Sequence, residues 1–66
     1  MNDQEYKVQL EQQFRDSDII FNAISTSGAR NWEEAQRMVV MFYVPSMDIS
    51  RAGISHALRR LKDFYG

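Results

Sequence analysis

The chain has 66 residues, no cysteine and a formal net charge of −1. A chain this short forms one domain at most, and folding buries only roughly 60% of the surface exposed by the unfolded form, so stability is marginal unless copies associate. With 44% apolar and 26% charged residues, the composition excludes a disordered chain, a disulfide framework and a Cys/His zinc cluster.

The elements follow in chain order. Tyr6, Leu10 and Phe14 recur every four residues, and Phe21 and Ile24 continue the stripe, with Ser17 at the missing step. This is helical spacing in a segment rich in Glu, Gln and Lys. It predicts one helix from about Asp3 to about Ser25, or two helices if Asp16 or Ser17 caps a second one at Asp16-Ser17-Asp18. Ser25-Thr26-Ser27-Gly28 reads as a stop and a loop. Asn31 is a good N-cap, and Glu34 three residues later makes an Asn form of the capping box. A helix is expected from Trp32 to about Val44, where Pro45 forbids simple continuation. Trp32, Ala35, Val39 and Tyr43 share one face. Val40, Met41 and Val44 make the second half apolar all round, the pattern of a helix surrounded by protein, so Met38 to Val44 is assigned to the core. A strand competes over 38–44, because Met-Val-Val-Met-Phe-Tyr-Val is β-branched and aromatic. The cap and the Glu-Glu-Ala-Gln-Arg before it favour helix.

Pro45-Ser46-Met47-Asp48 reads as a turn or a single helical turn. Ser50 or Asp48 caps the last helix, which runs to about Tyr65. Its apolar face is Ile54, Ala57, Leu58, Leu61, Phe64 and Tyr65, with Ala52, Ser55, His56, Arg59, Arg60 and Asp63 opposite. The fold class expected is all-α, a single small domain of three or four helices with a helix-turn-helix-like C-terminal half.

Charge is unevenly spread. Acids outnumber bases seven to three from Met1 to Glu34, and bases outnumber acids four to two from Pro45 to Gly66. The two ends are therefore expected to face different partners. Catalysis is not expected. A nucleophile needs a base within reach and an oriented third group. The single histidine, His56, stands among arginines, and its neighbour Ser55 diverges from it on a helix. Asp16 and Asp18 lack a calcium loop, and three glycines supply no phosphate loop. No metal and no cofactor are expected. The acidic, polar start Met1-Asn2-Asp3-Gln4-Glu5 is the opposite of a secretory signal. No apolar run is long enough to cross a bilayer. The expected location is cytoplasmic, with no membrane partner.

The last eighteen residues, Ile-Ser-Arg-Ala-Gly-Ile-Ser-His-Ala-Leu-Arg-Arg-Leu-Lys-Asp-Phe-Tyr-Gly from Ile49 to Gly66, carry the most specific signal. Ile49 is placed to tuck under a turn, Ser50 to cap, and Gly53 to let a neighbouring helix approach closely. Ile54, Leu58 and Leu61 bind the helix to a core. The segment resembles the recognition-helix half of the LysR-type transcriptional regulators, whose pattern reads Leu-Ser-Gln-x-Ala-Val-Ser-His-Ala-Leu-x-Arg-Leu-Glu, often followed by an aromatic residue and Gly. The match covers about a quarter of the chain without a gap. It implies that Ser50, Arg51, Ser55, His56 and Arg59 meet base edges or phosphates in a major groove and that Arg60 and Lys62 reach the backbone. The preceding segment departs from the family's Ala-Ala-x-x-Leu-x-Leu-Ser. Tyr43 and Val44 are large and Pro45 falls inside the expected helix, so the supporting helix is expected to be shorter or differently placed. The expectation is a reading head alone, without the family's wing or effector domain.

Two functions follow. The first is a small DNA-binding regulator of the kind plasmids and bacteriophages encode, binding double-stranded DNA as a homodimer because one such helix makes few phosphate contacts. The seam expected for the dimer or partner interface is Tyr6, Leu10, Phe14 and Phe21. The alternative is a small inhibitor or adaptor that docks on a host protein through a helix face, which the low overall charge favours.

Overall fold

The computed structural model describes residues 3–66. Met1 and Asn2, which open the polar start, lie outside the described residues. Three helices make up the fold: α1 (Asp3–Ser25), α2 (Trp32–Phe42) and α3 (Arg51–Tyr65). The all-α small bundle is as expected. Residues 38–42 belong to α2, and no strand occurs among the described residues.

α1 runs without a break through Asp16-Ser17-Asp18. It ends where hydroxyls take its last carbonyls. Thr26 Oγ1 donates to the Asn22 carbonyl at 2.7 Å, and Ser27 Oγ donates to that of Ile24 at 2.7 Å. Gly28 follows at φ 91°, a left-handed conformation that costs a side-chain-bearing residue energy. α2 begins at the expected cap: Asn31 Oδ1 accepts from the Glu34 N–H at 2.9 Å. The Glu34 carboxylate reaches back one residue further than a capping box requires and accepts from the Arg30 N–H at 2.7 Å. α2 stops at Phe42, slightly short of the expected Val44, and Pro45 stands inside the turn that follows.

The order of contacts along α1 and α3 makes the two helices parallel. Asp16 meets Ser50 and Gly53, Ser17 meets His56, and Phe21 meets Arg60 and Phe64. α2 runs back between their opposite ends. Most of the packing lies between α1 and α3, with α2 contributing less to each. The core is Ile20, Ile24, Ala35, Val39, Ile54, Ala57 and Leu61. A fully buried Leu such as Leu61 contributes about 2–3 kcal/mol by leaving water. The molecule measures 41 × 23 × 15 Å. The three helices touch pairwise, so the core is the space they enclose.

One expectation is corrected by this arrangement. The second half of α2 is not surrounded by protein. Val39 is buried and Met38 and Tyr43 are half-buried, but Val40, Met41, Phe42 and Val44 are exposed, and Met47 is 99% exposed. No further helix of the described chain lies over them.

Candidate nucleic-acid interface

The first turn of α3 is built by two helices. Ser50 is its N-cap, with extended backbone and its Oγ accepting from the Gly53 N–H at 3.1 Å. In a capping box the third helical residue returns a carboxylate to the cap's own N–H. Here that position is Gly53, and the carboxylate comes from α1: Asp16 Oδ2 accepts from the Ser50 N–H at 2.8 Å. A Cβ placed on Gly53 would stand 2.5 Å from the Asp16 Cβ. Gly53 therefore admits the neighbouring helix, as the sequence suggested, and the admitted residue is an acid.

Asp16 has no exposed surface. Burial by itself would raise its pKa. The Ser50 N–H and hydroxyl, and the Arg15 guanidinium at 3.2 Å, outweigh burial and hold the carboxyl below its ordinary value. It remains charged because every oxygen has a donor, the condition under which a buried charge is tolerated.

One residue on, Ser17 is also fully buried. Its Oγ lies 2.7 Å from His56 Nδ1 and accepts from Arg60 at 3.2 Å. Arg60 also pairs with Asp18 and lies over the Phe21 ring, 4.4 Å from its centroid. Phe14 meets the His56 ring edge-on at 5.3 Å. A serine within hydrogen-bond reach of a histidine is the first requirement of nucleophilic catalysis, but Ser17 presents no surface to a substrate, and the pair serves the contact between helices. Among the described residues, no group of three or more His, Asp or Glu side chains is arranged to hold a metal ion.

Two of the seven residues expected to face DNA are therefore placed differently. His56 and Arg60 turn towards α1, where their partners are Ser17, Asp18, Phe14 and Phe21. Ser50 has its N–H committed to Asp16 and its hydroxyl to Gly53. The other four, Arg51, Ser55, Arg59 and Lys62, are exposed. At 3.6 residues per turn they fall within about 80° of arc and extend about 16 Å along the helix. Ala52 borders them, and Asp63 lies beyond it. Arg51, Arg59 and Lys62 enter no ion pair among the described residues. Val44 stands beside Arg51, Ile54 and Ser55 in a shallow surface depression.

The seam residues also divide. Phe21 is half-buried between Arg60 and Phe64, inside the fold. Tyr6 is 55% exposed and Phe14 49%, while Leu10 is half-buried. The sequence reading missed Asp16 and Ser17 as the partners of α3. The signal was present: Ser17 interrupts the apolar stripe at the step where α3 brings polar side chains.

No protein-family model matches the chain, and no curated protein or solved structure is significantly similar to it.

Proposed function

We propose that the chain is a non-enzymatic DNA-binding regulator that reads duplex DNA with the outward side of α3. The observation that carries this reading is the stripe of Arg51, Ser55, Arg59 and Lys62, exposed and, for its three cations, without ion-pair partners among the described residues. The small side chains of Ala52 and Ser55 leave room for a groove wall to approach the helix. Arg51 and Arg59 have the planar donor forks that suit guanine edges and phosphates, and Lys62 suits phosphate. Asp16 fixes the first turn of α3, and with it the direction of Arg51. His56 and Arg60 are positioning residues in this reading, because their contacts go to α1. The likeness of residues 49–66 to the recognition helix of LysR-type regulators supports the same assignment. The supporting half of the motif differs from that family, since α2 and α3 are joined by eight residues, 43–50.

The test is a fluorescence-anisotropy titration with duplex DNA at low and high salt. Binding should weaken with salt, because each neutralised phosphate releases counterions. Arg51→Ala and Arg59→Ala should each weaken binding by about tenfold, with unchanged helical circular dichroism. Unchanged affinity in both variants refutes the reading.

A second reading, a protein-binding inhibitor or adaptor, is favoured by the bare apolar end of α2. Val40, Met41, Phe42, Val44 and Met47 are each more than half exposed, and exposed apolar surface beyond scattered single residues marks interaction sites. Absence of salt-sensitive DNA binding, together with an intact fold, would make this the leading account.

A further inference from the structure

The exposed side of α3 has a spacing as well as a charge. Arg51 and Arg59 are two i, i+4 steps apart, with Ser55 between them. Their Cα atoms are therefore separated by about 12 Å along the helix axis. Successive base pairs of B-form DNA rise by about 3.4 Å, so this separation corresponds to about three to four base pairs when α3 lies along a groove. A helix with its side chains is about 10–12 Å across, and the major groove is about 12 Å wide. Ser55 and the neighbouring Ala52 are exposed and small, so no bulky side chain between the arginines holds the helix off the base edges. Lys62 follows about 4.5 Å beyond Arg59 along the axis.

We infer that the arginine pair sets a sequence preference: a duplex site with two guanines about three to four base pairs apart, one met by Arg51 and the other by Arg59, with Lys62 on a phosphate. The inference rests on the DNA-binding reading and names the site that α3 takes. Charge favours base edges over the backbone as the targets of the two arginines. A net charge of −1 gives the chain little general attraction to a polyanion. The start of α1 adds none, since Asp3, Glu5 and Glu11 outnumber Lys7 there. A few directional contacts therefore have to carry the affinity. The planar fork of arginine donates two parallel hydrogen bonds to the O6 and N7 acceptors of guanine, whereas adenine presents an amino donor in place of O6.

The fold holds this spacing fixed. Arg51 stands in the turn capped by Ser50, whose N–H is bound by Asp16 and whose hydroxyl accepts from Gly53. Arg59 stands on the same uninterrupted helix, and Ile54, Ala57 and Leu61 bury the side of α3 away from the stripe. The distance between the two arginines is thus a property of one helix and not of a loop, and a site with its guanines at a different separation satisfies one fork at a time.

Selection from a randomised duplex pool, followed by anisotropy titration of the selected duplex, tests it. The bound fraction should be enriched in two guanine positions at the stated separation. Replacing either guanine by adenine should weaken binding by about tenfold. Arg51→Lys should erase the preference at one position and Arg59→Lys at the other, with the salt dependence retained, because lysine keeps the charge and lacks the fork. Lys62→Ala should weaken all duplexes alike and lower the salt slope by about one. Helical circular dichroism should be unchanged in all three variants, whose substituted side chains are exposed. Duplex binding without a guanine preference, with a single guanine position, or with a preference that survives both lysine variants overturns the inference and leaves DNA binding standing. Failure to bind any duplex overturns the inference together with the reading it rests on.

Discussion

The seam between α1 and α3 and the outer end of α2 reverse the usual distribution of side chains. In the seam, an aspartate and a serine are completely buried; at the α2 end, two methionines, two valines and a phenylalanine stand in water. Each polar group in the seam has a partner, and each apolar group at the α2 end lacks one. Burial in so small a molecule follows from where a second element lies, and residue type only sets what that burial costs.

The largest expected effect comes from removing the acid of the seam. Asp16→Ala leaves the Ser50 N–H buried without an acceptor and should cost about 2–3 kcal/mol in urea denaturation. Since total stability is about 0.05–0.15 kcal/mol per residue, that loss takes a large share of the fold. An effect below half a kilocalorie would mean that water replaces the carboxylate and the seam is looser than described.

Gly53→Ala comes next. In an exposed helix interior this change stabilises by about 1 kcal/mol. Against the Asp16 Cβ it should instead destabilise, by about 1–3 kcal/mol, because neither backbone can yield freely. A stabilised variant would refute the close approach.

The pH dependence sharpens the same contrast. The Asp16 carboxyl has a lowered pKa in the folded state, so its contribution is fully present above the ordinary aspartate value of about 4 and is lost as pH falls through the lower folded value. The melting temperature should be insensitive to this group above that value and fall below it. Asp16→Asn should flatten part of the fall, and an unchanged acid limb would assign the loss to other carboxylates.

The smallest effect belongs to the α2 end. Met47→Ser should change the stability of the dilute, unassociated chain by no more than about 0.5 kcal/mol. A larger loss under those conditions would mean that Met47 packs within its own chain.

The elements were legible where local chemistry decides them. Asn31 and Ser50 cap as their residue types suggest, and Gly28 and Pro45 stand in the connections between helices. Three features depended on a second helix: the sequence left the first open, between one helix and two, and misplaced the other two. Asp16-Ser17-Asp18 satisfies the local rule for a new helix start, but the chain runs through it because α3 supplies donors to Asp16 and a partner to Ser17. His56 and Arg60 lie opposite the apolar face of α3 on a helical wheel, yet a wheel drawn from apolar residues alone overlooks a neighbour that is itself polar. The apolar run at the end of α2 was expected in the core, yet only Val39 is buried and Met38 and Tyr43 half-buried, because no described element lies over the rest. Of the residues expected at a DNA surface, the exposed four form one stripe, and the exceptions are those for which α1 carried a partner.

The bond from Ser50 to Asp16 spans 34 residues of chain, and this separation has a kinetic consequence. The first turn of α3 gains its tertiary acceptor only after a loop of that length has closed, at an entropic cost that grows slowly with loop length. The start of α3 therefore matures late, together with the docking of α1, and a fragment beginning at Pro45 should fray through Arg51. The direction of that arginine is in this sense a report from the opposite helix, delivered only when the whole chain has assembled.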